Sequence, residues 1–258
     1  MKKSAVALSV GALMATGAAF ANTKAGDFKA GLELDSKFSM NNAAHAGSPT
    51  VKMPGGESPE PFPHSNGNEV ENPNYVPLRG QDFGVKLFMS YQGAGLSVKA
   101  KDNQELETNI NYTYGWKHVY LTGEAELVSK KYGNDEQKYG LTVGSHLNGL
   151  FDTSVRYRVD RDTQGEAATR SQINRVDLFA GKQVTDNVYL GAKVINFDQQ
   201  NATINAIDGN KKNWNNFEVK ATFTGLDNMI PYVEYENAYI NRADRRDDNL
   251  KVGVQFPF

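Results

Sequence analysis

The stretch Leu250-Lys-Val-Gly-Val-Gln-Phe-Pro-Phe258 ends the chain and alternates apolar residues with polar or small ones. Because successive side chains of a β-strand point to opposite faces, this pattern predicts a strand with one apolar side. Such a strand at the edge of a soluble sheet would attract other chains. Closing the sheet into a barrel removes the edge, and lipid can cover the apolar side. The stretch therefore predicts the final strand of a transmembrane barrel.

Eleven earlier segments show the same alternation, separated by turn signals. Apolar residues occupy every second position of a segment, for example Phe83 and Leu87 in the second segment and Val155 and Tyr157 in the seventh. We call each set of alternate positions a parity. Single-chain bacterial barrels have an even number of strands. We therefore predict an all-β fold, a transmembrane antiparallel β-barrel of about 12 strands of the outer-membrane type. The ninth segment, near residues 188–197, is apolar at both parities toward its end, so its facing stays open.

The connections between these segments alternate in length. Five are tight, namely residues 92–95, 115–117, 148–150, 184–187 and 225–229. Most of the others are long and polar, namely residues 41–82, 162–174, 198–213 and 238–248, with 102–105 as a short exception. Outer-membrane barrels have short periplasmic turns and longer outer loops. We therefore expect a periplasmic N-terminus and a first strand that runs outward.

The first 21 residues carry the three parts of a secretory signal peptide. Two lysines follow Met1, an apolar stretch runs from Ala5 to Phe20, and Ala19-Phe20-Ala21 is a small-x-small cleavage site. An uncleaved anchor is disfavoured because the apolar stretch is short, contains glycine and lacks a stop-transfer flank. We expect residues 1–21 to be removed and residues 22–258 to form the barrel.

The composition excludes several classes of protein. The chain has no Cys, which argues against a disulfide scaffold, a thiol nucleophile and a Cys-based metal site. Its formal net charge is −2, and removing the two signal lysines makes it −4, which argues against a nucleic-acid partner. The mean hydropathy of −0.56 fits a membrane barrel, because half of each strand faces water. No cofactor is expected.

The longest connection, residues 41–82, holds seven of the nine prolines. Proline lacks the N–H group that a ladder needs, and a stretch rich in Pro, Gly and Asn has little to bury. We expect an outer loop that joins no ladder and lies outside the barrel wall. Two interpretations stay open: a mobile surface loop, or a loop that folds over the pore mouth as a constriction.

Basic residues at the polar parity are the candidates for substrate contact in the lumen, namely Arg156, Arg158, Arg175, Lys86, Lys99, Lys220 and Lys251. Arginine at the lipid-facing midplane costs about 2–4 kcal/mol, so parity places it inside. A guanidinium binds a carboxylate with two hydrogen bonds and stays charged, so these arginines favour anionic solutes. Alternatively, the arginines brace the wall by pairing with lumen carboxylates, of which the candidates are Asp152, Asp160, Asp177, Glu218, Glu234 and Glu236.

Several segments together resemble a known family. They are Val155-Arg-Tyr-Arg158, Asn174-Arg-Val-Asp177, Lys211-Lys-Asn-Trp214, Pro231-Tyr-Val-Glu-Tyr-Glu236 and Lys251-Val-Gly-Val-Gln-Phe256. In order and spacing, over roughly residues 151–258, they are similar to the oligogalacturonate-specific porin family, which includes the bacterial sialic-acid channel. The terminal Phe also resembles the assembly signal of Gram-negative outer-membrane barrels. The family resemblance implies a monomeric twelve-stranded channel for acidic sugars, with Arg156, Arg158 and Arg175 in the lumen. The long Pro-rich segment and the many lumen carboxylates depart from the family pattern.

An enzymatic barrel is the weaker alternative. Ser145 and His146 are the only close Ser/His pair in a predicted strand, and neighbouring strand residues point to opposite faces. They therefore cannot share a hydrogen bond as nucleophile and base. The stretch from Asp160 to Gly165 is like the start of a calcium loop, but Ser171 stands where the closing Glu belongs. We predict neither an enzyme nor a metal site.

We predict a channel in the Gram-negative outer membrane for passive diffusion of small acidic oligosaccharides or sugar acids, with selectivity from lumen Arg and Lys. Outer-membrane lipid and acidic oligosaccharides are the expected partners. Barrels of 8 strands fill with side chains and those of 16–18 leave wide pores, so about 12 strands leave a narrow lumen. Two alternatives stay open: a general small-solute porin with purely structural lumen charges, and a non-conducting structural or adhesion barrel that acts through its loops.

Overall fold

The computed structural model describes residues 28–40, 82–131, 134–147, 151–164, 170–206, 210–240 and 245–258, and the backbone alone of 45–46, 50–52, 69–71, 76–77 and 81. The predicted signal peptide lies outside the described residues. In the part of the chain that is described, no helix is long and apolar enough to cross a membrane. A single helical turn, α1 (Ala202–Asn205), is capped by the side chain of Asn201.

Twelve long strands form one closed barrel. They are β1 (Phe28–Ser39), β2 (Gln81–Tyr91), β3 (Ala94–Lys101), β4 (Glu105–Gly115), β5 (Val119–Lys130), β6 (Glu136–Leu147), β7 (Phe151–Asp162), β8 (Gln172–Thr185), β9 (Val188–Gln199), β10 (Asn213–Phe223), β11 (Ile230–Ile240) and β12 (Arg245–Pro257). Each strand pairs antiparallel with the next, and β1 pairs with β12. The predicted twelve-stranded antiparallel barrel is confirmed.

The C-terminal residue takes part in the seam that closes the barrel. The N–H of Phe258 donates to the carbonyl of Ala30 at 2.9 Å, and the N–H of Ala30 donates to the carbonyl of Phe258 at 3.3 Å. Further along, Leu34 lies opposite Val254 in register. The alternating stretch that ends the sequence therefore leaves no unpaired edge, which is how a barrel avoids edge-to-edge association.

Over most of its height, the wall has apolar side chains on its outer face and polar side chains on its lumen face, as the alternation predicts. Leu87 and Val155 are 56% and 51% exposed on the outer surface, as lipid-facing residues are. The polar side chains of this part face the lumen, as ion pairs that pass over an intervening strand show. Lys99 of β3 reaches Asp35 of β1 at 2.7 Å, passing over β2. Only the concave side of a closed sheet allows such a contact.

The structure decides the facing of the ninth strand, which its sequence left open. Tyr189 and Ile195 are 2% and 1% exposed and point into the lumen. Leu190 and Val194 are exposed on the outer surface. The lumen parity of β9 therefore carries large apolar side chains, including Phe197, which lies opposite the lumen-facing Arg175 of β8.

Five connections of two to six residues lie at one end of the barrel, namely residues 92–93, 116–118, 148–150, 186–187 and 224–229. The two residues between β2 and β3, Gln92 and Gly93, have φ angles of 48° and 86°. Positive φ at both central residues is the turn that matches the twist of paired strands. This end also holds Phe28 and Phe258, and we refer to it as the terminal end. The opposite end, which we call the loop end, carries the long connections and also three short ones, residues 102–104, 131–135 and 241–244.

Two sequence-based expectations about the loop end are wrong. Within residues 41–82, residues 45–46 pair with 76–77 and residues 50–52 pair with 69–71, and Gln81 and Asp82 already belong to β2. Prolines do not prevent these ladders, because the ladders are only two or three residues long and stay outside the barrel sheet. The connection expected at residues 238–248 shrinks to 241–244, because β11 and β12 continue toward the loop end.

Close to the terminal end, lumen aromatics lie against glycines of the neighbouring strand. The pairs are Phe88 with Gly31, Tyr120 with Gly144, Tyr189 with Gly181, and Tyr232 with Gly253. A Cβ atom at Gly144 would overlap the ring of Tyr120. Glycine at these positions lets each ring lie flat on the wall rather than project across the lumen.

Candidate functional site

The three predicted arginines form one group with three carboxylates, which we call the arginine cluster: Arg156, Arg158, Arg175, Glu124, Asp160 and Asp177. Arg156 lies at its centre. Its Nη1 donates to Glu124 at 3.0 Å, across β6, and its Nε donates to Asp177 at 3.0 Å. The side chains of Arg156 and Glu124 are only 4% and 5% exposed.

The other two arginines of the cluster bind carboxylates two residues further along their own strands, because a period of two keeps such pairs on one face. Arg158 Nη2 donates to Asp160 at 2.7 Å. Arg175 donates to both oxygens of Asp177, from Nε at 2.6 Å and from Nη2 at 2.8 Å. Three guanidinium groups thus face three carboxylates, and the cluster is electrically balanced.

Four lysines form a second group with three carboxylates, which we call the lysine cluster: Lys86, Lys99, Lys220, Lys251, Glu33, Asp35 and Glu234. Lys99 binds Asp35 at 2.7 Å. The other contacts are looser. Lys86 lies 3.9 Å from Glu33, and Glu234 is shared by Lys220 at 3.9 Å and Lys251 at 4.0 Å. Counted over the described residues, this cluster carries one positive charge in excess.

Tyr232 lies within the lysine cluster and contacts both a carboxylate and two lysines of it. Its hydroxyl donates to Glu33 at 2.7 Å, and Gln255 Nε2 donates to the other oxygen of Glu33 at 3.1 Å. The ammonium of Lys220 lies 3.8 Å from the centroid of the Tyr232 ring, and that of Lys251 lies 5.5 Å from it. The ring face attracts these cations, while neutral donors hold the carboxylate. Lys86, Lys220 and Lys251 therefore lie beside Glu33 and Glu234 without short hydrogen bonds to them.

A cavity of about 280 Å³ in the lumen lies between the two clusters. Its charged lining consists of five cations and four carboxylates, namely Lys86, Lys99, Lys251, Arg156, Arg158, Glu33, Glu107, Glu124 and Glu126. Asn109 and Asn111 of β4 also line it. The volume is close to the lower limit for small-ligand sites in proteins, about 300 Å³. A solute in this cavity would meet both signs of charge, with one positive charge in excess.

The structure places all seven predicted basic residues on the lumen face and brings them together in these two clusters. Of the six carboxylates predicted as arginine partners, Asp160 and Asp177 are partners. Asp152 instead bonds His146 and Tyr189, Glu218 pairs with Lys193, Glu234 with Lys220 and Lys251, and Glu236 with Lys37. Glu124 was not predicted as a partner. Substrate contact by the seven residues stays a prediction.

Ser145 and His146 have separate bonding partners. The hydroxyl of Ser145 donates to the carbonyl of His118 at 2.8 Å. The Nδ1 atom of His146 lies 2.7 Å from Asp152, which also accepts a hydrogen bond from the hydroxyl of Tyr189 at 2.8 Å. The pair therefore lacks the serine–imidazole hydrogen bond that a nucleophile and its base require.

Comparison with known families identifies the barrel. The model of the oligogalacturonate-specific porin (KdgM) family matches residues 82–258, which is more than half of the chain. The chain belongs to this family. Its barrel is thus an outer-membrane porin, and the resemblance seen in the sequence is confirmed. No curated protein sequence matches the chain.

Two solved structures share the fold of this family member. The KdgM porin matches with a TM-score of 0.54 and 15% sequence identity, covering 88% of this chain and 99% of the porin. The KdgM porin in complex with disordered oligogalacturonate matches with a TM-score of 0.52 and 14% identity, again covering 88% and 99%. At this identity the likeness supports the fold alone.

Proposed function

We propose that this porin lets small acidic oligosaccharides, of the oligogalacturonate class, diffuse across the outer membrane. The observation that carries the proposal is the excess positive charge of the lysine cluster beside the lumen cavity. Family membership supports the same substrate class, because the KdgM porin was solved with oligogalacturonate. A channel of this kind needs no nucleophile, cofactor or metal, and we propose no enzymatic activity.

The two clusters have different tasks in this proposal. The arginine cluster is balanced and nearly inaccessible, so its main task is to brace the wall between β5 and β8. The lysine cluster holds ammonium groups 3.9–4.0 Å from the carboxylates of Glu33 and Glu234. Those ammonium groups can turn to an incoming carboxylate without breaking a short hydrogen bond. Weak, multiple contacts of this kind allow a solute both to enter and to leave.

We further propose that the terminal end faces the periplasm, because all five connections there are at most six residues long and outer-membrane barrels have short periplasmic turns. The N-terminus of the mature chain, expected at Asn22 after removal of the signal peptide, is then periplasmic. The complete ring of twelve strands encloses its own lumen, which supports a monomeric channel surrounded by lipid.

The proposal is tested by conductance in planar bilayers. Trigalacturonate should block the wild-type current, and the reversal potential in a KCl gradient should show anion preference. The variant Lys86→Gln/Lys251→Gln should fold, because both lysines are partly exposed and loosely paired, at 32% and 22%. Its anion preference and its affinity for trigalacturonate should both fall, since two lumen charges are gone.

Lys117→Gln is the matched control. It makes the same Lys→Gln change once, in the exposed turn between β4 and β5 outside the lumen, and should behave as wild type. A conducting channel with no anion preference and no trigalacturonate block would instead identify a general porin with structural lumen charges. A folded barrel with no conductance would identify a structural or adhesion protein.

A further inference from the structure

Another cavity, of about 220 Å³, lies at the loop end of the barrel. Its lining comprises two guanidinium groups, three primary amides and one serine, namely Arg161, Arg170, Gln172, Gln200, Asn201 and Ser171. None of these six residues carries a negative charge. A cavity lined by cations and neutral hydrogen-bond donors suits an anion.

The parity of the strands places this cavity on the outer face of the wall. Arg161 follows Tyr157 and Val159 at alternate positions of β7, and Tyr157 is 49% exposed on the outer surface. Arg161 lies opposite Gln172 of β8. The N–H of Gln200 donates to the carbonyl of Gln172 at 2.8 Å and extends the ladder between β8 and β9. The three side chains therefore form a row across three neighbouring strands, on the side of the wall away from the lumen.

The carboxylates that flank this row have other partners. Asp135, just before β6, accepts hydrogen bonds from the backbone N–H of Lys130 at 2.9 Å and from Nε2 of Gln164 at 3.1 Å. Asp198 of β9 lies 3.9 Å from Lys212. Neither carboxylate belongs to the lining of the cavity.

Arg161 is the most accessible cation of the lining. Its side chain is exposed, and the described part of the chain gives it no ion-pair partner. A guanidinium has five N–H donors in a planar fork, which matches two oxygens of a phosphate group at once. Gln172 and Gln200 lie beside it in the row and have side-chain N–H groups of their own. These donors converge on one small volume.

The height of the cavity on the wall indicates which anion reaches it. Val159 is two residues from Arg161, about 7 Å along the strand toward the apolar band. An arginine at this position lays its apolar stem along the band and directs its charge to the polar layer just beyond it. Lipid headgroups occupy that layer, whereas a solute that passes through the lumen does not touch the outer face.

We propose that this cavity binds a phosphate group of a lipid in the surrounding membrane, with Arg161 as the main contact and Gln172 and Gln200 as further donors. The proposal rests on the orientation proposed above, in which the loop end faces outward. The lipid is then lipopolysaccharide of the outer leaflet, whose lipid A anchor carries phosphate groups. The site does not depend on which solute the lumen carries.

The test is native mass spectrometry of the purified mature protein in detergent, titrated with diphosphoryl lipid A and with the same lipid A after removal of its phosphates. Arg161→Gln should weaken binding of diphosphoryl lipid A roughly three- to tenfold, because one charge-assisted contact is lost. Binding of the phosphate-free lipid should stay at the wild-type value. Arg246→Gln is the matched control and should behave as wild type, since it removes the same charge from an exposed, outward position at the loop end of β12, away from the cavity.

A second variant covers the case in which Arg161→Gln does not fold. Gln172→Glu keeps the size of the side chain and adds a carboxylate to the lining of the cavity. It should weaken binding of diphosphoryl lipid A by at least as much, because the new charge repels phosphate. Unchanged binding in this variant overturns the site.

Four other results also overturn the site. They are equal binding of diphosphoryl lipid A by Arg161→Gln and wild type, an equal loss in Arg246→Gln, competition by millimolar inorganic phosphate, and tighter binding of phosphatidylglycerol than of lipid A. The second would show a general attraction to the basic surface, the third a site for a soluble anion, and the fourth a site for an ordinary phospholipid. Trigalacturonate block of the same preparation is measured separately, and its absence would refute the proposed transport function while leaving the lipid site in place.

Discussion

Replacing Arg156 with methionine should destabilise the barrel by about 3 kcal/mol, because it leaves a buried carboxylate without its cation. Glu124 binds Arg156 at 3.0 Å, and the two side chains are only 5% and 4% exposed. Asp177 keeps Arg175 at 2.6 Å, so Glu124 is the group that loses its partner. Removing one partner of a buried ion pair costs about 3–5 kcal/mol, and water in the lumen favours the lower end.

The same reasoning predicts a rescue. Adding Glu124→Gln to Arg156→Met removes the orphaned charge, so the double variant should recover at least half of the lost free energy of unfolding. Urea titrations in detergent micelles, followed by tryptophan fluorescence, give the four free energies of a double-mutant cycle. The cycle isolates the coupling between Arg156 and Glu124 from the effect of either substitution alone.

A more exposed ion pair serves as control. Lys130 pairs with Glu136, and their side chains are 26% and 25% exposed. Lys130→Met should therefore cost no more than about 1 kcal/mol. If Arg156→Met and Lys130→Met differ by less than about 0.5 kcal/mol, burial does not set the strength of these pairs. Arg156 would then not be a brace, and transport would be its remaining role.

Two further predictions concern the wall and the N-terminus. Gly144→Ala should cost about 1–3 kcal/mol, because the added Cβ forces the Tyr120 ring off the wall. Gly123→Ala, where nothing lies within 4 Å of the added atom, should stay within about 0.5 kcal/mol of wild type in the same urea titrations. Intact-mass measurement of outer-membrane protein should give a chain that begins at Asn22, and a retained Met1 would show that the signal-peptide hypothesis is wrong.

The barrel and its two faces were predictable from the sequence because lipid enforces a simple pattern. A side chain that faces lipid must be apolar, and every second residue of each membrane-spanning strand faces lipid. Val155 and Tyr157 point outward while Arg156 and Arg158 point inward, as parity requires. The number of strands follows from counting the alternating segments.

The loop end was not predictable by the same argument, because both faces of the strands are polar there. Asp247 was assigned to a solvated connection, yet it lies in β12, is 6% exposed and accepts a hydrogen bond from Ser39 at 2.8 Å. On the outer face of the same hairpin, Asn237 donates to Asp248 at 2.7 Å. Beyond the apolar band, hydrogen bonds between polar residues hold the strands together. These parts of the strands have no hydrophobic alternation by which the sequence could reveal them.

The composition of the site was predictable only in part. Asp160 and Asp177 follow Arg158 and Arg175 by two residues, so parity alone suggests these pairs. Glu124 is 32 positions away from Arg156 and reaches it only because the wall curves around β6. The lumen position of Phe197, opposite Arg175, was missed because the alternation of the ninth strand is blurred by apolar residues at both parities.

The contrast between the two clusters bears on how a selective pore releases its solute. Lumen arginines without partners would bind a carboxylate through two charge-assisted hydrogen bonds and hold it. Here, each arginine already has a carboxylate partner, which reduces its attraction for a passing anion. Lysines at 3.9–4.0 Å from shared carboxylates supply a weaker and more adjustable attraction. On the proposed function, this division lets the arginines stabilise the wall while the lysines bind the solute weakly enough to let it pass.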